Sequence, residues 1–126
     1  MPGIKDWLKK ALSDLKAAKK LSDDNETFDC SVFHTHQCAE KALKAFIVSS
    51  HQAVPKTHDL KLLLGYCLEI SIEFLLIKEE SKSLNSYGQD ARYPNDIFYV
   101  DQKRVNEAIC MAEKILLIIQ NLLLQK

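Results

Sequence analysis

Phe28-Asp29-Cys30-Ser31-Val32-Phe33-His34-Thr35-His36-Gln37-Cys38-Ala39-Glu40-Lys41-Ala42-Leu43-Lys44-Ala45-Phe46-Ile47 is the stretch that decides the fold. Phe28, Val32, Thr35, Ala39, Ala42 and Phe46 recur at alternating steps of four and three and make one apolar stripe. His36, Leu43 and Ile47 make a second stripe beside it. A period near 3.6 sustained over this length is the signature of an α-helix. Two adjacent stripes mean that more than one narrow face is covered. The spacing predicts a long helix over about 26–50 at the centre of a helical bundle.

Outward from that helix the same rhythm continues in both directions. Ile4, Leu8, Ala11, Leu15 and Ala18, flanked by Trp7, predict a first helix over 4–21, with Lys5, Lys9, Lys16 and Lys20 on its solvent side. Ser22-Asp23-Asp24-Asn25-Glu26 is a run of turn and cap residues that ends it. On the other side, 51–56 reads as a loop closed by Pro55, and Thr57 as the N-cap of a third helix carrying Leu60, Leu63, Leu64 and Cys67. A fourth helix is expected over 72–86. From Tyr87 to Val100 the periodicity disappears, and a stretch that long is expected to be structureless, and functional or mobile. Asp101 is placed as the cap of the last helix, where Val105, Ala108, Ala112, Ile115, Ile119 and Leu122 keep the period. Leu117 and Leu124 are apolar even on its solvent side, so the helix either threads the middle of the bundle or meets another subunit, and contact with another subunit is the expectation.

Composition agrees and narrows the function. The 126 residues are the size of one domain, taken as spanning 1–126. Three glycines and three prolines are too few to punctuate a many-stranded sheet, so the expectation is an all-α, up-and-down bundle of about five helices with a long loop before the C-terminal one. Seventeen basic against 17 acidic residues give zero formal net charge, which argues against wrapping a long polyanion but not against a small phosphate ligand. The amino terminus lacks the layout of a secretory signal and no apolar run spans a bilayer, so a cytoplasmic protein with no membrane association is expected. Cys30, Cys38, Cys67 and Cys110 form no closely spaced pair and read as buried free thiols.

Several chemistries can be weighed residue by residue. His34 and His36 lie two apart and point to different sides of a helix, so they do not chelate one ion, and no metal site or cofactor is expected. Cys30 or Cys38 beside His34 would make a nucleophilic pair only with an activated thiolate, and nothing in the sequence marks one. Gly3, Gly65 and Gly88 stand apart, so no glycine-rich phosphate loop exists. Arg92 is one of two arginines and lies among Tyr87, Tyr93, Phe98 and Tyr99; a guanidinium beside rings can grip a phosphate and leave a ring free to stack. The alternative is that Arg92 pairs with Asp90 or Asp96.

The run Phe33-His34-Thr35-His36-Gln37-Cys38-Ala39-Glu40-Lys41-Ala42-Leu43-Lys44-Ala45 resembles the Phe-His-x-x-Gln-x-Ala-Glu-Lys-x-Leu-Lys-Ala signature of HEPN domains. Trp7 with Ala11, Asp14, Leu15 and Ala18 resembles the family's first helix, Pro55-x-Thr57-His58-x-Leu60-x-x-Leu63 its next segment, and Tyr87 with Arg92-Tyr93-Pro94 its late loop. The resemblance implies a dimeric helical bundle, often paired with a minimal nucleotidyltransferase in a toxin–antitoxin-like system. It further implies either nucleotide binding or metal-independent ribonuclease activity through an Arg-x4–6-His motif. That motif is not matched, because no histidine follows Arg92 or Arg104. The reading is therefore a homodimer that binds a nucleotide or RNA phosphate and partners a nucleotidyltransferase. At the matching positions Arg92 would hold phosphate and Tyr93 would stack, with Lys41, Lys44 and His58 as further ligand-binding residues. The alternative is a ribonuclease in which His34, His36 or His58 replaces the missing motif histidine.

Overall fold

Ser31, near the start of the central helix, donates its hydroxyl to the Ala18 carbonyl at 2.7 Å, and this contact marks where the first two helices clasp. A computed structural model describes residues 2–91 and 100–125, with the backbone alone described at Ala91. Arg92 and Tyr93 lie outside the described residues. Among the described residues there are five α-helices: α1 Ile4–Lys20, α2 Phe28–Ser49, α3 Leu60–Ile70, α4 Lys78–Ala91 and α5 Gln102–Leu124. Two 3-10 segments, Asn25–Thr27 and Ile72–Ile77, lead into α2 and α4. No strand occurs among the described residues.

The central helix packs on all four others, as its two stripes require. Val32, Thr35, Ala39, Ala42 and Phe46 are buried from the first stripe, and His36, Leu43 and Ile47 from the second. Phe46 meets Phe74 at 4.6 Å between ring centroids, tying the second 3-10 segment to the core. Ala11, Leu15 and Ala18 of α1 and Val105, Ala108, Ala112, Ile115 and Ile119 of α5 complete that core.

Several boundaries differ from the expectation for local reasons. Thr57 is not the cap of α3. Asp59 is, its carboxylate accepting from the Lys61 and Leu62 amides, while the Thr57 hydroxyl accepts from the Asp59 amide. The segment 72–86 is not one α-helix: Ser71 caps a 3-10 stretch over Ile72–Ile77 before the α-helix begins at Lys78. Tyr87–Ala91, expected to be structureless, extends α4. A Cβ at Gly88 would lie 2.3 Å from His36 Cγ, so this glycine lets α4 run close across α2. Asp101 caps α5 as expected, accepting from the Arg104 amide at 2.8 Å.

Apolar surface remains uncovered in several places among the described residues. Leu117 and Leu124 of α5 are 58% and 84% exposed, and Ile72, Leu75 and Leu76 of the second 3-10 segment are also exposed. No helix among the described residues is long and apolar enough to cross a membrane. Of the four cysteines, Cys38 and Cys67 are buried as expected, whereas Cys30 and Cys110 are exposed.

Candidate functional site

Glu40 sits on the second stripe of α2, between His36 and Leu43, where an apolar residue would be expected. Its side chain is fully buried, and burial of a carboxylate demands compensation. Three groups supply it. Lys44, one turn on, donates to Oε2 at 2.9 Å, and Lys41 donates to the same oxygen at 3.0 Å. His58, preceding α3, reaches Oε1 through Nδ1 at 2.8 Å. Burial alone would raise the carboxyl's pKa, but the hydrogen bonds from Lys44, His58 and Lys41 outweigh it and hold Glu40 at about 2.

The lysines are not solubility charges on an open face. The Lys44 side chain is 8% exposed and that of Lys41 16%. Trp7 of α1 lies beneath both ammonium groups, its ring centroid 5.4 Å from Lys44 Nζ and 6.0 Å from Lys41 Nζ. An indole face attracts a cation, more so when water is excluded. His58 is the open member, with 60% of its side chain exposed. It is held by the α3 cap that follows it: Asn85 of α4 donates to the Asp59 carboxylate at 3.0 Å and accepts from the Leu60 amide at 2.9 Å. Because a carboxylate only accepts, Nδ1 is the protonated nitrogen, which leaves Nε2 on the far side of the ring.

Lys41 and Lys44 of α2 and His58 from the segment before α3 are thus brought onto one carboxylate. Arg92 and Tyr93 are outside the described residues, but the helices flanking them are fixed. Arg104 near the start of α5 stacks over the Tyr87 ring of α4, 5.0 Å from guanidinium carbon to centroid. Glu40 and Trp7 were missed as site residues. Both stand in matched motif positions. For Glu40 the available signal was an acid interrupting the apolar stripe of His36, Leu43 and Ile47.

A second carboxylate–imidazole pair lies further along α2. His34 Nδ1 is 3.0 Å from Asp14 Oδ1 of α1. His36, in contrast, is 1% exposed and packed under Gly88, out of reach of a substrate. The two buried cysteines offer no nucleophile. Burial, with Asp14 and Glu113 nearby, pushes the Cys38 thiol up to about 12, and burial does the same for Cys67. No group of three or more potential metal ligands occurs among the described residues.

The family model of the HEPN domain matches residues 4–122. This chain belongs to the HEPN family. An archaeal HEPN homologue of known structure is similar over 98% of this chain and 99% of its own, with a TM-score of 0.77 and 22% identity, a likeness of fold. A protein of known structure from Thermus thermophilus is similar over 96% of this chain and 98% of its own, with a TM-score of 0.80 and 25% identity. No curated protein matches the sequence. The HEPN match starts at α1 and runs into α5, so Trp7, Glu40, Lys41, Lys44 and His58 all fall inside it.

Proposed function

We propose that this HEPN protein binds the phosphate of a nucleotide or RNA terminus at the Lys41–Lys44–His58 cluster, as a homodimer and beside a minimal nucleotidyltransferase in a toxin–antitoxin-like pair. The observation that carries the binding is two ammonium groups converging on a single carboxylate oxygen. One negative charge faces two positive ones, so the cluster keeps a net positive charge in a poorly solvated place, where an added anion is attracted most strongly. Each ammonium has three donors and commits one to Glu40, leaving others for phosphate oxygens. His58 adds Nε2 at the solvent edge.

Thermal shift with millimolar ATP or GTP tests it. A rise in melting temperature that Lys44→Met and Arg92→Ala each largely remove is the expected result; a melting curve indifferent to nucleotide rejects the reading. The dimer is supported by exposed Leu117 and Leu124 on α5, and a particle near 14.4 kDa by light scattering at micromolar concentration refutes it. The nucleotidyltransferase partner is supported by family membership, and copurification of the two proteins is its test.

A ribonuclease is the second reading, favoured by the Glu40–His58 geometry. A carboxylate that anchors Nδ1 and leaves Nε2 toward solvent arranges an imidazole for general acid–base work. Cleavage of RNA in EDTA that His58→Ala abolishes supports this activity, and intact RNA at high protein concentration excludes it.

A further inference from the structure

His34, Gln37, Lys41 and Lys44 follow one another on α2 at steps of three, four and three, which places them along one face. That face fronts α1, because Asp14 contacts His34 at one end and Trp7 lies under Lys41 and Lys44 at the other. From His34 to Lys44 the row covers roughly 15 Å of helix, longer than a phosphate group needs. Three buried polar atoms along this seam lack a hydrogen-bond partner among the described residues: Trp7 Nε1, Gln37 Oε1 and Asp14 Oδ2. Such atoms are scarce in folded proteins, and each calls for a partner.

We propose that the α1–α2 seam is the nucleoside half of the phosphate site, with Gln37 and the Asp14–His34 pair receiving an amino-bearing base of a nucleotide whose phosphate sits on Lys41 and Lys44. This rests on the phosphate-binding reading above. The chemistry of the unpartnered atoms sets the ligand class. Gln37 Oε1 and Asp14 Oδ2 are acceptors, so the complementary ligand presents N–H donors, as the exocyclic amino groups of adenine, guanine and cytosine do. Gln37 is only partly buried, and its carbonyl oxygen gives up no described hydrogen bond when it turns onto a ligand. Asp14 is 8% exposed and acts from beneath, holding His34 through Nδ1. The His34 side chain is 32% exposed, and its Nε2 is available to a ribose hydroxyl.

Isothermal titration of the full chain with inorganic phosphate, AMP, GMP, CMP and UMP separates the two halves. The amino-bearing nucleotides should bind about tenfold tighter than phosphate, with UMP, whose base offers a single N–H in place of an amino group, weaker than they are. Gln37→Met should bring AMP down to the phosphate level while leaving phosphate affinity unchanged, and Gln37→Ala repeats the test with a second side chain. Lys44→Met should weaken every ligand. The indole of Trp7, the single tryptophan, lies under Lys41 and Lys44, and its N–H resonance should shift with phosphate and AMP alike. Equal affinity for phosphate and all four nucleotides, or AMP affinity untouched in both Gln37 variants, overturns the nucleoside subsite and leaves the phosphate site standing. Absence of any binding, by phosphate or nucleotide, overturns both.

Discussion

His58 Nδ1 donates to Glu40 Oε1 at 2.8 Å, joining the residue that precedes the α3 cap to a carboxylate buried in the middle of α2. Lys41 and Lys44 hold the other oxygen, so both sides of the carboxylate are occupied. The arrangement ties the segment before α3 to the middle of α2 through one buried acid.

Glu40→Ala should therefore be costly. The substitution leaves Lys41 and Lys44 charged, poorly hydrated and without their acceptor, and breaking a buried ion pair from one side costs about 3–5 kcal/mol. Urea denaturation monitored by circular dichroism measures the loss. A change under about 1 kcal/mol would mean that water already screens the cluster.

Stability should fall as the solution is acidified below the usual carboxylate range. Glu40 titrates at about 2 in the folded chain against an ordinary value of 4.5, so the unfolded chain binds the proton first. The contribution of this group is present in full above pH 4.5 and is lost as pH falls toward 2, on the order of 3 kcal/mol. Glu80 adds in the same direction: burial opposes its ionisation, but the hydrogen bond from Lys114 at 2.8 Å lowers its pKa. Urea midpoints at intervals between about pH 6 and pH 2.5 should decline over that window, and a flat profile contradicts the assignment.

Gly88→Ala should destabilise the protein by roughly 1–3 kcal/mol, the usual cost of overpacking. The new Cβ would meet His36 Cγ at 2.3 Å and Cδ2 at 2.4 Å, on a ring that is itself buried. Shortening the opposing side chain with His36→Ala should recover part of the loss in the double variant. Additive effects would show that the two residues are not in contact.

His51→Gly should stabilise the protein by about 1 kcal/mol. His51 follows the end of α2 with φ at 61°, the left-handed conformation that costs a side chain about 1–2 kcal/mol and glycine almost nothing. The melting temperature reads the gain. A lowered melting temperature would indicate that the imidazole makes a contact worth more than the backbone relief.

The sequence by itself determined the helices and their central member. Apolar residues at steps of three and four fix α1, α2, α3 and α5 because burial of a continuous stripe is a local, periodic demand on the chain. The cap at Asp101 was legible for the same reason, since the cap bond closes within three residues. That Lys41, Lys44 and His58 stand at motif positions was legible from the sequence. The tertiary structure decided what those residues do to one another. Glu40 stands as an acid on an apolar stripe, and only packing against α1 and the start of α3 shows that it is buried and shared by three donors. Gly88 has the look of a loop residue until α4 is laid across α2, where the missing Cβ is what permits the approach. Desolvation and close contact between elements distant in the chain have no period for a sequence to display, and the polar seam along α1 and α2 is made of both.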